Sequence, residues 1–230
     1  MKPLVLASLE DATGDRCVDI LGQDDDYGWV ECRRDPEDPH GWRHLHPPEW
    51  GHTDRVAAHE AASAATGWLR HAVRVAPYDD AWPAAFAAEA ARIAPHLPGA
   101  RLHHFGSTAV PGLAAKPTID ILAETPDPSE VAAPPGYEPM TAPTPGRLGF
   151  RRVERGRRTH RLHVLIAGDP EVRRHLAFCD FLRSHAEEAK AYGALKRRLA
   201  ALHPHDRSAY MDGKDAFVKA LEARALEEMP

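Results

Sequence analysis

The sequence lacks the hydrophobic segments that direct a chain into or across a membrane. Its first residues, Met1 to Val5, contain no extended apolar signal core, and no later window reaches about 18 consecutive apolar residues. We therefore expect a cytoplasmic protein without a membrane partner.

Cysteine and net positive charge are also scarce. The three cysteines, Cys17, Cys32 and Cys179, form no CxxC pair, which favours reduced thiols in a reducing compartment. Lysine and arginine number 29 against 34 acidic residues, a formal net charge of −5. This balance excludes a protein that coats nucleic acid nonspecifically but is compatible with a local basic groove.

The chain does contain enough apolar material for a full-sized core, since 43% of its 230 residues are hydrophobic. A chain of this length buries roughly 70% of the surface that its unfolded form exposes, so its stability requires neither disulfides nor a structural metal. The composition excludes both a mini-protein and a disordered chain.

Residues 1–72 predict a small accessory domain of unknown function. Two short runs, Cys17 to Leu21 and Tyr27 to Cys32, are separated by a turn-forming stretch and indicate an antiparallel β-meander. The alanine-rich segment Arg55 to Leu69 then predicts one helix. Between them lies a histidine-rich, proline-containing segment that we interpret as a connector, with a transition-metal site as the less favoured alternative. Its histidines are His40, His44, His46 and His52.

Residues 73–230 predict a second, α+β domain in which a mixed sheet is flanked by helices. A proline-rich stretch from Pro126 to Pro145 predicts a mobile loop. The predicted strands are Leu102 to Phe105, Thr118 to Glu124, Leu148 to Glu154 and Arg161 to Ala167, and the predicted helices surround Phe86 to Leu97, follow Asp169, span Ala186 to Leu202 and start at Asp206 or Ser208.

The alternation of residues along the strand at 118–124 predicts which side chains lie on each of its two faces. Ile119, Ile121 and Ala123 are expected to pack inward, so the other set, which contains Asp120 and Glu124, is expected to face solvent or a ligand.

The most informative stretch is HFGSTAVPGLAAKPTIDIL, which starts at His104. A strand that ends in Gly106-Ser107 lets backbone N–H groups approach an anion, and the hydroxyls of Ser107 and Thr108 can donate to phosphate oxygens. Asp120 emerges from an apolar strand, where a carboxylate is costly unless it meets a cation, a metal or water. The alternative is a tight turn with Asp120 paired to Lys116 or an arginine.

This stretch resembles the signature of the GrpB family, which is placed in the nucleotidyltransferase superfamily of the DNA polymerase β type. Further blocks that resemble the family occur in order over residues 73–228. They read VAPYDDAWPAAF, RLHVLIAGDPEVRRHLAFCDFLRSH, YGALKRRLA and AYMDGKDAFV.

The resemblance implies a Gly-Ser turn that holds nucleotide phosphates and carboxylates that bind one or two divalent cations, Mg²⁺ or Mn²⁺. Carried over by position, Gly106 and Ser107 are the phosphate turn and Asp120 is a catalytic metal ligand. Lys116 and Lys214 are further expected phosphate contacts. The implied chemistry is attack of an acceptor hydroxyl on a nucleoside triphosphate with release of pyrophosphate.

The sequence departs from the superfamily pattern at the second acid, where Leu122 stands two residues after Asp120. Glu124 lies on the same face of the predicted strand as Asp120, but about 13 Å further along it. His104 and His163 are the other candidate metal ligands, and imidazole suits zinc or manganese better than magnesium.

The functional prediction is a protein that binds a nucleotide or another phosphorylated small molecule. Metal-dependent nucleotidyl transfer to a small molecule or an RNA end is its possible extension. The alternatives are a catalytically degenerate sensor or assembly module that binds a phosphorylated ligand, and a metal-dependent phosphate-ester hydrolase. Two basic runs, at 173–175 and 196–198, are interpreted as solvated helix faces in preference to a polyphosphate or RNA groove.

Overall fold

The computed structural model describes residues 3–35, 41–140, 146–154 and 157–228, and the first strands belong to a five-stranded antiparallel sheet. The strand order is β1-β2-β3-β4, and β5 pairs with β3. The strands are β1 (Leu4–Glu10), β2 (Arg16–Gln23), β3 (Asp26–Arg34), β4 (Trp42–His44) and β5 (Glu49–His52).

Helix α1 (Arg55–Thr66) covers this sheet. The Asp54 side chain caps it by accepting hydrogen bonds from the N–H groups of Val56 and Ala57, and it ends at Gly67, whose φ is +70°. The helix is therefore shorter than predicted. Its last residue is Thr66, and the N–H of the left-handed cap Gly67 donates to the Ser63 carbonyl. Its buried alanines pack with Val18, Ile20 and Trp29.

The predicted histidine-rich connector is largely ordered structure, since β4 and β5 lie within it. His46 Nε2 accepts a hydrogen bond from the Glu31 N–H (3.3 Å), and its Nδ1 donates to the Pro47 carbonyl (2.7 Å). Both ring nitrogens are therefore committed to backbone groups. His40 lies outside the described residues.

The chain divides into two units, and each unit is built from two separate segments of the sequence. Unit 1 contains Met1–Val73 and also His203–Arg207, while unit 2 contains Arg74–Leu202 and Ser208–Pro230. Within unit 1, the Val73 N–H donates to the Pro204 carbonyl (2.8 Å). The later segment thus completes the first unit.

Unit 2 has a five-stranded mixed sheet of order β6-β7-β10-β9-β8, in which only β7 and β10 among the described strands are parallel. This arrangement confirms the α+β fold class. The strands are β6 (Arg101–Phe105), β7 (Ile119–Thr125), β8 (Glu138–Met140), β9 (Leu148–Glu154) and β10 (Arg157–Ile166), and the helices are α2 (Trp82–Ile93), α3 (Pro170–Ser184), α4 (Ala186–Leu202) and α5 (Arg207–Glu228).

Helices cover both faces of this sheet, which corrects the prediction that the Asp120 face of β7 is presented to solvent or ligand along its length. Ile121 packs in a core that includes α2, whereas Leu122, on the other face, is fully buried in a core that includes α3, α4 and α5. A central strand with helices on both sides is apolar at nearly every position. The polar end of β7 at Asp120 is the exception.

The proline-rich stretch contains more structure than a mobile loop. It includes a short 3₁₀ turn at Pro128–Glu130 and the edge strand β8. Pro139 is tolerated in β8 because an edge strand pairs on one side only, so a residue whose backbone N would point away from β9 needs no N–H. Residues 141–145 lie outside the described part of the chain, as do Arg155 and Gly156 of the predicted basic hairpin tip. No helix among the described residues combines the length and apolar character needed to cross a membrane.

Candidate functional site

The predicted Gly-Ser turn and Asp120 lie together at one end of the unit 2 sheet. Strand β6 ends at Phe105, which pairs with Asp120 on β7, and Gly106 then turns the chain with φ +75°. A Cβ atom at position 106 would lie 2.9 Å from Asp120 Oδ2. Both the conformation and the close approach therefore require glycine here.

The turn is held by a contact from α3. The Gly106 N–H donates to Cys179 Sγ (3.2 Å), and a short 3₁₀ turn follows at Ser107–Ala109. Burial raises the pKa of Cys179 to about 11, which keeps this thiol protonated at neutral pH. Cys179 therefore supports the turn as a structural thiol.

Asp120 is half-buried and surrounded by positive charge. Burial raises its pKa to about 6, although the charges of Arg161, Arg158 and Lys116 act in the opposite direction. The described residues make no ion pair within 4.0 Å of its carboxylate. The charges of Arg161, Arg158 and Lys116 nevertheless act on Asp120, so its pairing with a neighbouring cation stays an alternative to metal binding.

Sequence reasoning missed a deeply buried lysine of this site. Lys196 on α4 was assigned to a solvated basic face, but only 3% of it is exposed. Its Nζ donates to Ser107 Oγ (2.9 Å) and lies 4.3 Å from the centre of the Tyr192 ring. A signal was present in the sequence, because Tyr192, Lys196 and Leu199 follow the spacing of one buried helix stripe.

Lys196 is also crowded by like charges. Burial and, to a smaller extent, the charges of Lys214, Arg197 and Lys116 together lower its pKa to about 7. Burial likewise lowers the pKa of Lys214. The structure therefore brings together Gly106, Ser107, Asp120, Lys116 and Lys214 from the predicted set, and adds Lys196.

Lys116 and Lys214 are positioned from different parts of unit 2. Lys116 follows the turn in the loop before β7, and its Nζ lies 4.2 Å from the centre of the Tyr210 ring on α5. Lys214 is one helical turn further along the same helix. A loop and two helices thus direct positive charge towards the Ser107 turn.

Thr108 has a different role from the one predicted for it. It is 1% exposed, and its hydroxyl donates to the Thr118 carbonyl (3.3 Å) while His104 Nε2 lies 3.1 Å from the same oxygen. Because these bonds occupy the hydroxyl, Thr108 fixes the loop between β6 and β7.

The additional predicted metal ligands are not brought together with Asp120. His104 is on the opposite face of the sheet, stacked on Phe86 with ring centres 4.7 Å apart. At the far end of β7, Glu124 lies 3.4 Å from His103 Nε2 and accepts a hydrogen bond from the Gly168 N–H (3.2 Å). These contacts commit both side chains elsewhere.

His163 shares the sheet face of Asp120 but lies opposite Leu122 in the β7–β10 pairing. Burial lowers its pKa to about 3, and its ring packs edge-on against Phe105 with centres 5.1 Å apart. Within the described residues no group of three or more His, Cys, Asp or Glu side chains could hold a metal ion. Among the described residues, Asp120 is therefore the carboxylate that lies at the turn, and the other predicted ligands are not gathered around it.

Comparison with known proteins places this site within a recognised family. A model of the family described as GrpB protein matches residues 72–224. The chain belongs to the GrpB family. The matched range contains the Gly106 turn, Asp120 and the three lysines, whereas nearly all of the N-terminal part of unit 1 lies outside it.

Individual GrpB relatives support the same assignment. A UPF0157 protein of Pseudomonas aeruginosa is 43% identical over 173 residues, which cover 67% of this chain and 68% of that protein. The UPF0157 protein YqkA of Bacillus subtilis is 35% identical over 184 residues, or 72% of this chain and 53% of that protein. The chain thus spans about half the length of the Bacillus relative.

A solved structure agrees with the GrpB assignment. The crystal structure of conserved protein GrpB from Enterococcus faecalis aligns with a TM-score of 0.62 at 36% identity, covering 67% of this chain and 98% of that chain. Family membership is confirmed, and the wider placement in the nucleotidyltransferase superfamily stays a prediction.

Proposed function

We propose that unit 2 binds a phosphorylated ligand, a nucleotide in the first instance, at the turn formed by Gly106 and Ser107. The observation that carries this proposal is the buried Lys196, whose ammonium group contacts a hydroxyl and an aromatic ring and lies near other cations. Like charges held together at a buried site are costly, and a phosphate group would offset that cost through charge-assisted hydrogen bonds.

The neighbouring groups are suited to a polyanion. Lys116 and Lys214 add positive charge next to Lys196, and Ser107 Oγ can share a phosphate oxygen with it. Arg158 and Arg161 lie near Asp120. A ligand with more than one phosphate can therefore meet both the lysines near Ser107 and the arginines near Asp120, which favours a nucleotide over a monoanion.

Asp120 opposes an anion unless its charge is compensated. A divalent cation, Mg²⁺ or Mn²⁺, that arrives with the ligand's phosphates would use Asp120 as its one protein carboxylate. Because Leu122 is fully buried where a second acid is expected, the structure favours a binding module over a two-metal nucleotidyltransferase that modifies a small molecule or an RNA end.

Calorimetric titration with ATP, GTP, CTP and UTP tests this proposal in the presence and absence of Mg²⁺ or Mn²⁺. We expect binding that Lys196→Met and Ser107→Ala weaken and that Asp120→Ala makes independent of the divalent ion. Lys190→Met is the matched control, because that lysine is 73% exposed and pairs only with Glu187 among the described residues.

The outcome that contradicts the proposal is a titration in which no nucleotide binds, or in which Lys190→Met and Lys196→Met have the same effect. Repeated release of pyrophosphate in the presence of an acceptor would instead favour the nucleotidyl-transfer alternative.

A further inference from the structure

Ser107 contacts Lys196, one of two buried side chains of α4 that lie one helical turn apart. Lys196 Nζ is 2.9 Å from Ser107 Oγ and 4.3 Å from the centre of the Tyr192 ring. Tyr192 is 4% exposed and Lys196 is 3% exposed. Residues four apart share a helix face, so Lys196 lies between the Ser107 hydroxyl and the Tyr192 ring.

This environment changes what Lys196 can do. Burial and neighbouring cations lower its pKa to about 7. Near pH 7 the Lys196 side chain is therefore a neutral amine in about half of the molecules. A neutral amine can accept a proton from a hydroxyl, which an ammonium group cannot. Serine–lysine pairs of this kind activate the serine as a nucleophile in unrelated folds.

The position of Ser107 is also suited to a reacting group. It follows the Gly106 turn and is only partly buried, whereas Lys196 and Tyr192 are buried. A phosphate bound by Lys116 and Lys214 would lie beside its hydroxyl. The excess positive charge there would stabilise negative charge that develops on the phosphoryl oxygens.

We propose that Ser107 is a nucleophile, with Lys196 as its general base, that attacks a phosphorus atom of a phosphoanhydride ligand. The inference rests on the proposed function, which places the phosphorus atom of the bound ligand beside Ser107. The bond from Ser107 Oγ to phosphorus forms as the bond from phosphorus to the leaving oxygen breaks. The hydroxyl proton passes to the neutral amine of Lys196, and the leaving phosphate or pyrophosphate keeps the bonding electron pair.

The products of this step are a phosphoryl or nucleotidyl ester on Ser107, an ammonium group on Lys196 and the free phosphate or pyrophosphate. Tyr192 positions the Lys196 amine, which lies 4.3 Å from the centre of its ring. The step uses groups of this chain and a phosphoanhydride, and it involves no oxidant or reductant.

The first arm of the test uses a fluorophosphonate, a phosphorus electrophile that reacts without nucleotide recognition. Intact-mass measurement and peptide mapping of the full chain should find one adduct, on the peptide that contains Ser107. Ser107→Ala should lose it, and Ser129→Ala, which changes an exposed serine of the same unit, should keep it.

The rate of adduct formation tests the role of Lys196. Lys196→Met and Lys196→Arg should both slow adduct formation roughly 100-fold or more, because neither side chain can accept the proton. In the wild type the rate should rise with pH through about 7, the pKa of Lys196, and this rise should be absent from both variants. Circular dichroism checks that each variant is folded.

The second arm uses ATP, and the mass added to Ser107 distinguishes a phosphoryl from a nucleotidyl group. A chain that binds ATP by calorimetry but gives no Ser107 adduct with either reagent overturns the inference and leaves the binding proposal standing. An adduct with the fluorophosphonate in a chain that binds no nucleotide overturns the assignment of a phosphoanhydride as the substrate.

Discussion

Asp120 lies directly against the backbone of Gly106, so that a Cβ atom at position 106 would meet Asp120 Oδ2 at 2.9 Å and Asp120 Cβ at 3.3 Å. The turn and the carboxylate are therefore one structural feature. A change at either position is expected to affect the other.

The first prediction separates this contact from backbone strain. Gly106→Ala places a side chain both at positive φ and against Asp120, whereas Gly136→Ala meets a similar φ of +78° with nothing within 4 Å. We expect Gly136→Ala to lower the free energy of unfolding by about 1–2 kcal/mol and Gly106→Ala to lower it by about 2–4 kcal/mol. Urea denaturation measures both.

A double variant checks the cause of the difference. Asp120→Ala shortens the side chain that Gly106→Ala would meet, so the two changes together should cost less than their sum. Additive costs would contradict the close contact.

The second prediction concerns Lys196, whose pKa is about 7 in the folded chain and 10.5 in its ordinary state. Between these values the unfolded chain binds more protons, so the stability of the wild type rises with pH. Relative to Lys196→Met, the wild type should gain about 3 kcal/mol between pH 7 and pH 9.5. The readout is urea denaturation at several pH values.

If the stability curves of the wild type and Lys196→Met stay parallel over this interval, Lys196 is not desolvated in the folded chain. Lys190→Met, a change at an exposed lysine, supplies the reference curve.

The third prediction concerns Asp120, whose pKa is raised from 3.8 to about 6. This group favours the folded state fully below pH 3.8, and its contribution is lost as the pH rises through about 6. We therefore expect Asp120→Asn to match the wild type near pH 4 and to exceed it by about 2–3 kcal/mol near pH 7. Thermal unfolding in matched buffers checks this, and a variant less stable than the wild type at pH 7 would contradict it.

The fourth prediction concerns Glu89, which joins α2 to the sheet. Its carboxylate accepts hydrogen bonds from Arg92 (3.0 Å) and from Arg152 on β9 (2.6 Å). Burial raises its pKa, but the hydrogen bonds from Arg92 and the charges of His160 and Arg152 outweigh burial and lower it to about 2.

A lowered carboxyl pKa stabilises the fold above its ordinary value of 4.5, and this contribution is lost as the pH falls towards 2. Glu89→Gln should therefore cost about 3 kcal/mol at pH 7 and much less near pH 2.5. The exposed Glu130→Gln is the control and should change the free energy of unfolding by less than about 0.5 kcal/mol. Equal effects of the two substitutions would show that the Glu89 contacts add no stability.

Local signals made the elements predictable from the sequence. Asp54 and Asp169 are the side chains that cap α1 and α3, and Ala186–Leu202 forms α4 with the predicted bounds. These features depend on residues within a few positions of one another. The Gly106-Ser107 turn and its neighbour Asp120 were also predictable, because they lie on successive strands.

Contacts between distant residues were not predictable in the same way. Lys196 meets Ser107 across 89 residues of sequence, and the neighbouring Arg197 and Arg198 made the run resemble a solvated face. Similarly, the burial of Leu122 depends on helices that follow much later in the chain. Composition cannot show which face of a strand a later helix will cover.

The inclusion of His203–Arg207 in unit 1 has a consequence for synthesis on the ribosome. His59, on α1, donates through Nε2 to the Arg70 carbonyl (2.7 Å), and its Nδ1 lies 2.5 Å from His205 Nδ1. The nascent N-terminal sheet and helix must therefore wait for most of unit 2 to be translated before this imidazole pair can form. Cotranslational folding of unit 1 is thus completed only after His203–Arg207 has left the ribosome.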